Sequence, residues 1–492
     1  MPARMVLTGP SAPLCRNLQH GTVFDLTMRL SSFLSAVRLA AALLGLSLTA
    51  EAQWDTGPVV APRVEYRTFA STAASATVSY HIWTPPVYDT DPTRRFPVLY
   101  WLHGSGSSTD GITPVSNWFS TAVAQGRIPP LLVVFPNGWP YGMWTDAKDG
   151  SRPIETVLMQ ELLPLVDASF RTIPTRSARI VEGFSMGGMG AGRLGFKHPQ
   201  VFGAASMLGA GPLQLDFMQG PICSLAPDAL RAQIYQDVWG SDPAYYLANT
   251  PWTQAQQNLG AILSSGLRVR QAVGTADCMI GNNDLLDAHM TLLGIPHDYW
   301  TVSGVRHDAL ALLQGLGGIN WAFYLEALSG APTGTAFCFG DGSAATCPCG
   351  NSAALGRGCR NSTGLGARLS AGGDPAADNV VFVSSGELTN SLTIFLQGSS
   401  VLTTPAVFGD GLRCAGGELK RLYVKSAVGG IATAPAAADP GIRVQSANLG
   451  APIAPGSTRH YQAYYRDPNP SFCPSPQGNA FNSTNGVTIF WP

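Results

Sequence analysis

Charged side chains are scarce in this chain of 492 residues, where they make up 12% of the sequence. An average soluble protein has about a quarter. The formal net charge is −1, and no block of five or six like charges occurs. We therefore expect no nucleic-acid partner, because binding to a polyanion needs a basic patch. The 55 glycines and 37 prolines exclude a coiled coil and favour a loop-rich extracellular protein.

Long apolar runs are also missing, apart from one short run near the N-terminus. The run Leu39–Leu48 follows Met28-Arg29-Leu30 and precedes Ala50-Glu51-Ala52. At about ten residues it is too short to span a bilayer and is typical of a signal peptide with a small-residue cleavage site. We expect an extension of the gene model over 1–27, a signal peptide over 28–52, and a secreted or cell-surface protein. The alternative is a single membrane anchor; otherwise no stable membrane insertion is expected.

Cysteine use agrees with export. Of the nine cysteines, six follow residue 335: Cys338, Cys347, Cys349, Cys359, Cys414 and Cys473. Six cysteines in a short exported segment predict three disulfides, and the fifteen possible pairings stay open. No histidine lies near Cys347-Pro-Cys349, so no metal site is expected there. Cys223 and Cys278, earlier in the chain, are interpreted either as a disulfide or as two buried thiols.

Two kinds of hydrophobic pattern divide the mature chain. Over 53–330, apolar runs alternate with helical periodicity, and runs such as Val98–Leu102 are continuous, which is typical of parallel strands buried on both faces. This part is predicted to be an α/β domain with a mostly parallel sheet flanked by helices. A linker of small residues occupies 331–335. Over 336–492 only short alternating runs occur, which predicts a smaller, disulfide-containing, all-β sandwich-like domain.

The strongest motif of the chain is Gly183-Phe184-Ser185-Met186-Gly187. It follows a predicted strand and precedes a helical stretch, which is the setting of a nucleophile elbow. Such a turn is so sharp that only glycine avoids a clash on either side of the serine. Ser185 is therefore the candidate nucleophile. The alternative is a glycine-rich turn whose serine has no chemical role.

A serine hydroxyl needs a base to take its proton, and the base needs a carboxylate to orient it. In α/β-hydrolases, which carry such an elbow, the order along the chain is serine, acid, histidine. His307 follows the last predicted strand of the domain, and Asp277 follows the strand before it. Both lie in loops at the same edge of the sheet. We predict His307 as base and Asp277 as acid, with Asp308 as the fallback acid.

An ester-cleaving site also needs two N–H donors for the developing oxyanion. One should come from Met186, directly after the nucleophile. The second is predicted at Ser105, in the loop that follows Val98–Leu102, with Gly104 permitting the turn and His103 in a structural role.

Several motifs in the right order resemble the esterase D and antigen 85 superfamily, which includes feruloyl, acetylxylan and enterochelin esterases. They are Val98–Gly104, Phe135–Gly138, Glu161–Asp167, Gly183–Gly188, Gly274–Asp277 and His307-Asp308. The resemblance covers 60–328 and implies an α/β-hydrolase fold with Ser185, Asp277 and His307 as the triad. Arg306 departs from the glycine that the family commonly has before the histidine. The region after 335 resembles cysteine-containing modules of secreted planctomycete proteins.

Aromatic residues after a central strand give the only hint of substrate. Trp139, Tyr141 and Trp144 lie close to the predicted active-site edge, where they would stack on a sugar or an aromatic acyl group, or else cap the core.

The sequence predicts a secreted serine esterase that forms an acyl-enzyme, needs no cofactor, and acts on an ester substrate such as feruloyl or acetyl groups of polysaccharides. Three alternatives stay open: an acyltransferase of the mycolyltransferase type, a surface protein with a non-catalytic hydrolase shell, and a carbohydrate-binding protein whose β domain is the functional centre.

Overall fold

The apolar runs of the N-terminal region form one sheet of eight strands in the computed structural model. The strands are β1 (Val64–Ser71), β2 (Ala76–Trp83), β3 (Val98–Leu102), β4 (Leu132–Pro136), β5 (Arg179–Phe184), β6 (Ala204–Leu208), β7 (Arg268–Gly274) and β8 (His297–Val302). Their order is β1-β2-β4-β3-β5-β6-β7-β8. β1 and β2 pair antiparallel, β2 pairs antiparallel with β4, and β4 to β8 run parallel. The predicted α/β-hydrolase fold is confirmed.

The structure describes residues 53–220, 228–328, 333–353, 356–436, 438–473 and 480–492. All of them belong to one compact unit, Gln53–Pro492. The predicted signal peptide, Cys223 and the first residues of the predicted linker lie outside the described ranges.

The continuous apolar runs follow from burial on both faces of the sheet. In β3, Val98, Tyr100 and Leu102 belong to the core on one face, and Leu99 and Trp101 to the core on the other. Successive side chains of a strand point to opposite faces, so a strand covered on both sides has no polar positions. This burial explains why the sequence pattern marked the strand so clearly.

Helices cover both faces of the sheet. They are α1 (Val87–Thr90), α2 (Ile112–Ala124), α3 (Ile154–Thr156), a π-helix (Val157–Leu162), α4 (Leu163–Ser169), a 3-10 turn (Arg176–Ala178), α5 (Met186–Lys197), α6 (Asp228–Trp239), α7 (Pro243–Ala248), α8 (Pro251–Gln257), α9 (Leu259–Ser265), α10 (Ile280–Leu292), α11 (Ala309–Gly315) and α12 (Gly318–Leu328). Gly317, which adopts a left-handed φ of +54°, separates α11 from α12. No helix of the described part is long and apolar enough to cross a membrane.

The C-terminal region consists of short antiparallel strands. They are β9 (Thr335–Phe337), β10 (Arg368–Gly372), β11 (Val381–Ser385), β12 (Leu392–Gly398), β13 (Ser400–Phe408), β14 (Gly411–Gly416), β15 (Lys420–Ser426), β16 (Ile431–Ala434), β17 (Ser457–Arg466) and β18 (Phe481–Trp491). A three-stranded sheet, β10-β11-β16, shares a core with a five-stranded sheet, β15-β12-β17-β18-β9. Phe382 and Tyr461, one from each sheet, have ring centroids 4.7 Å apart. The predicted sandwich-like arrangement therefore has its core between two sheets.

Two features of this region differ from, or add to, the sequence prediction. A helix, α13 (Ile442–Asn448), interrupts the strands, although helical periodicity was expected to be absent. The six cysteines form the three expected disulfides, and their pairing is Cys338–Cys414, Cys347–Cys359 and Cys349–Cys473. The first and third span 76 and 124 residues, so they join segments far apart in the sequence.

Buried ion pairs connect the β region to the α/β region. The carboxylate of Asp298, near the start of β8, lies 2.9 Å from Arg268 of β7 and 2.6 Å from Arg357 of the β region. Arg268 also lies 2.6 Å from Glu326 of α12. Burial opposes the charge of Asp298, but the arginines around it prevail and hold its pKa well below the ordinary value.

Candidate active site

Ser185 sits at the turn between β5 and α5, with φ 58° and ψ −120°. A Cβ placed on Gly187 would lie 1.9 Å from the Leu102 carbonyl oxygen, and one on Gly183 would lie 2.4 Å from Gly187. Real Cβ atoms do not approach so closely, so both neighbours must be glycine. The predicted strand–turn–helix elbow is present, with the serine in a strained backbone conformation.

The structure brings the three predicted triad residues together. His307 Nε2 lies 2.9 Å from Ser185 Oγ, and His307 Nδ1 lies 2.9 Å from Asp277 Oδ2. The Asp277 side chain is 1% exposed and that of His307 is 23% exposed. The Phe184 ring packs on the imidazole, with centroids 4.5 Å apart. The base therefore contacts the hydroxyl on one side and a buried carboxylate on the other.

Two loops at the carboxyl edge of the sheet hold the acid beside the histidine. Thr275 and Ala276 donate backbone N–H groups to the carbonyls of Val302 and Val305, which ties the loop after β7 to the loop after β8. Asp277 accepts from the Met279 N–H with its other oxygen, at 2.8 Å. Asp308, the fallback acid, instead accepts the Ala311 N–H at 2.9 Å and caps α11.

The loop after β3 passes directly beside the nucleophile. A Cβ on Gly104 would touch Ser185 Cβ at 3.4 Å. The His103 ring lies below it, with Nδ1 2.8 Å from the Gly104 oxygen and Nε2 accepting the Gly138 N–H at 3.1 Å. Since Nε2 accepts, Nδ1 carries the proton and donates to Gly104. Burial lowers the pKa of His103 to about 4, which keeps this neutral tautomer.

This hydrogen bond sets the direction of the next N–H group. The Gly104 carbonyl and the Ser105 N–H belong to one planar trans peptide and point in opposite directions. Because the carbonyl is held by His103, the Ser105 N–H faces away from that ring. Met186, the other predicted donor, is the first residue of α5, where backbone N–H groups have no partner within the helix.

A mostly apolar cavity of about 400 Å³ opens at Ser185 and His307. Gly104 and Ser105 line it, together with Tyr141, Met143 and several residues that follow Gly211. Among the described residues, no group of three or more His, Cys, Asp or Glu side chains is placed to hold a metal ion.

Of the three aromatic residues predicted to contact substrate, only Tyr141 lines the cavity. Trp144 is 1% exposed, and its Nε1 donates to the His103 carbonyl at 3.1 Å. Its ring fills a space bounded by Gly138 and Gly190, where any Cβ would come within 2.7 Å of it. Trp139 packs edge-on against Trp54 in the same core. Both tryptophans therefore cap the core, as the alternative interpretation stated.

Other residues of the cavity gave no signal in the sequence. Phe217, Arg231, Ile234 and Met279 line it, but they lie in irregular chain or on helices without a motif. Only the three-dimensional fold brings them beside Ser185. Cys278, next to the acid, is disulfide-bonded, whereas Cys223, its predicted partner, is not among the described residues.

Comparison with known proteins gives a family for part of the chain. Residues 71–292 match the family model named Esterase. Esterase MT1326 of Mycobacterium tuberculosis is 34% identical over 160 residues, which are 32% of this chain and 34% of that protein. An endo-1,4-beta-xylanase/feruloyl esterase of Xylanibacter ruminicola is 32% identical over 138 residues, 26% of this chain and 18% of that protein. The match thus spans about a third or less of these relatives.

Two solved structures each align with about half of the chain. A ferulic acid esterase covers 53% of this chain and 98% of its own, with 21% identity and a TM-score of 0.44. The S-formylglutathione hydrolase FrmB of Staphylococcus aureus covers 53% and 98%, with 14% identity and a TM-score of 0.42. The part of the chain that matches the Esterase family model, 71–292, holds the nucleophile elbow and the predicted acid.

Proposed function

We propose that the chain is an exported serine carboxylic-ester hydrolase in which Ser185, His307 and Asp277 form the catalytic triad. The observation that supports it most directly is the continuous hydrogen-bonded path from Asp277 through His307 to Ser185, two contacts of 2.9 Å. The path ends at a cavity large enough for an acyl group. The relatives named as esterases support the same reaction type.

In the first half-reaction, Ser185 Oγ attacks the ester carbonyl while His307 Nε2 takes the hydroxyl proton. Asp277 fixes the proton on Nδ1 and stabilises the imidazolium that forms. The oxyanion of the tetrahedral intermediate is held by the N–H groups of Ser105 and Met186. The intermediate collapses when His307 returns the proton to the leaving alcohol, and Ser185 carries the acyl group. In the second half-reaction, water attacks the acyl carbonyl while His307 Nε2 takes its proton. The bond between Ser185 Oγ and the acyl carbon then breaks as His307 returns that proton to Ser185, which releases the acid.

Two further parts of the proposal concern location and substrate. The three disulfides of the β region support an oxidising, extracytoplasmic location, because such bonds are rare in the cytosol. We propose acyl groups on polysaccharide, feruloyl or acetyl, as substrates, and the similarity to a relative named endo-1,4-beta-xylanase/feruloyl esterase supports the feruloyl group. The mostly apolar lining, with Tyr141 in the wall, suits the hydrocarbon part of an acyl group.

The experiment compares wild type with Ser185→Ala on 4-nitrophenyl acetate, longer 4-nitrophenyl esters and methyl ferulate. We expect hydrolysis by wild type and a loss of about 10⁶-fold in kcat for Ser185→Ala, with an unchanged melting temperature. Mass spectrometry after a fluorophosphonate treatment should place the adduct on Ser185 alone. Wild-type turnover by the alanine variant would exclude this mechanism.

A further inference from the structure

Arg231 on α6 lines the same cavity as Ser185 and His307. The residue is 7% exposed. Its guanidinium donates to three backbone carbonyls in the turn before the helix: Phe217 at 2.6 Å, Gln219 at 2.5 Å and Gly220 at 3.2 Å. These contacts fix the side chain in the wall of the cavity.

Within the described part of the chain, the hydrogen bonds of Arg231 use three of its five N–H groups. A guanidinium has five N–H groups, and the three carbonyls take the single N–H of Nε and one N–H each of Nη1 and Nη2. No carboxylate of the described chain forms an ion pair with it, and the sequence between 221 and 227 contains no acidic residue. Arg231 is therefore a buried cation that neutral carbonyls hold in place without neutralising it.

Two other charged residues, Asp110 and Asp308, line the cavity, whereas the buried Asp277 contacts His307 and does not line it. Asp110 and Asp308 are exposed to solvent, and Asp308 already caps α11. Phe217, Ile234 and Met279 make the surrounding wall apolar. A charge in such surroundings acts more strongly than one in water, because the local dielectric constant is low. The inner wall of the cavity therefore favours an anionic group, and the water-screened acids at the rim oppose it only weakly.

We propose that Arg231 is a specificity-determining residue that selects ester substrates carrying a carboxylate, such as half-esters of dicarboxylic acids. The remaining N–H groups of Nη1 and Nη2 would bind the carboxylate while Ser185 attacks the ester carbonyl at the other end. A guanidinium suits this task because it is always charged and its N–H groups match the two oxygens of a carboxylate. The inference rests on the proposed esterase function and names its substrate class.

The test measures kcat/KM for the monomethyl and dimethyl esters of the same diacid, in a series from succinate to suberate. For each enzyme we take the ratio of kcat/KM for the monomethyl ester to kcat/KM for the dimethyl ester. A variant that loses activity equally on all substrates therefore keeps the same ratio. For at least one chain length we expect wild type to prefer the monomethyl ester. Arg231→Gln should lower that ratio about tenfold or more, the scale of one charge-assisted hydrogen bond. Arg231→Lys, which keeps the charge, should retain part of the preference.

Two controls separate the possible outcomes. Arg176→Gln also removes a guanidinium that donates to a backbone carbonyl, that of Pro199, but Arg176 does not line the cavity, so the ratio should stay at the wild-type value. If Arg231→Gln does not fold, the inference is tested by comparing the monomethyl-to-dimethyl ratio of Arg231→Lys with that of wild type. An unchanged ratio in the Arg231 variants, or a wild-type preference for the dimethyl ester at every length, would overturn the inference. Failure of wild type to hydrolyse 4-nitrophenyl acetate and every methyl ester would instead refute the proposed esterase function.

Discussion

His103 shows how a buried histidine acts through the backbone. The Val98–Gly104 motif gave its position, and the structure adds its tautomer, with Nδ1 donating to Gly104 and Nε2 accepting from Gly138. Because it holds the Gly104 carbonyl, it turns the Ser105 N–H away from its own ring. His103 is therefore a positioning residue for the proposed oxyanion hole, and it does not titrate in the range where an esterase works.

Burial of His103 predicts a pH-dependent contribution to stability. Its pKa is about 4 in the folded state against 6.5 for the free side chain. The unfolded chain therefore binds a proton first as the pH falls, so the stabilisation is complete above pH 6.5 and is lost between 6.5 and 4. At pH 4.5 we expect a loss of about 2 kcal/mol from this residue. Urea unfolding at pH 7.5 and 4.5 should show a smaller pH dependence for His103→Gln; an equal dependence would contradict the assignment.

Individual side-chain positions in the 139–144 loop could not be predicted from the sequence. Trp139, Met143 and Trp144 have positive φ angles of 60°, 53° and 51°. Such angles are uncommon for residues other than glycine, and they redirect each side chain. Trp144 therefore points into the core and Met143 into the cavity wall. Similarly, Arg231 was missed because its role depends on carbonyls of an irregular turn.

At the scale of elements, prediction succeeded where burial fixes the pattern. The continuous run Val98–Leu102 marked β3 correctly, because this strand is buried on both faces of the sheet. In the β region, β13 (Ser400–Phe408) was missed because most of its residues are exposed or partly exposed and its pattern is not alternating. The short helix α13 was missed since seven residues give too few turns for a periodic signal.

The two acids near the proposed base, Asp277 and Asp308, have different hydrogen-bond partners. Asp308 caps the helix through the Ala311 N–H, whereas Asp277 contacts His307 Nδ1. We expect Asp308→Ala to cost about 1 kcal/mol of stability, as for other helix caps, and to lower kcat less than tenfold. Asp277→Asn should lower kcat about 10⁴-fold with little loss of stability, because the wrong tautomer of His307 would be favoured. Steady-state kinetics and thermal melts of both variants check this; equal losses of activity would refute the assignment of Asp277.

At the scale of the whole molecule, the β region lies against the edge of the sheet opposite the proposed active site. Its ion pairs reach Arg268 and Asp298, at the amino ends of β7 and β8, while Asp277 and His307 follow the carboxyl ends. These strands of six or seven residues separate the two edges by about 20 Å. Gly318 of α12 also packs against the backbone of Gly429, where a Cβ would lie 1.5 Å from the carbonyl oxygen. The β region thus packs against the sheet at the edge away from the cavity and does not cover the cavity.

Breaking the ion pair between the β region and the sheet should lower stability and leave the catalytic rate unchanged. Arg357 is 8% exposed in its side chain, pairs with Asp298 and stacks on Trp300 at 4.8 Å. Arg357→Met keeps the apolar stem but leaves the buried negative charge of Asp298 with one fewer positive partner. We expect this to lower the free energy of unfolding by about 3 kcal/mol, the lower end of the range for broken buried ion pairs. Because the proposed triad lies at the other edge of the sheet, kcat/KM for 4-nitrophenyl acetate should stay within twofold of wild type. Calorimetry and kinetics at pH 7.5 test both statements. The control is Arg67→Met, which removes the exposed pair Arg67–Glu65 and should change neither stability nor kcat/KM. A large fall in kcat/KM for Arg357→Met at a temperature where the variant is fully folded would show that the β region supports the active site directly.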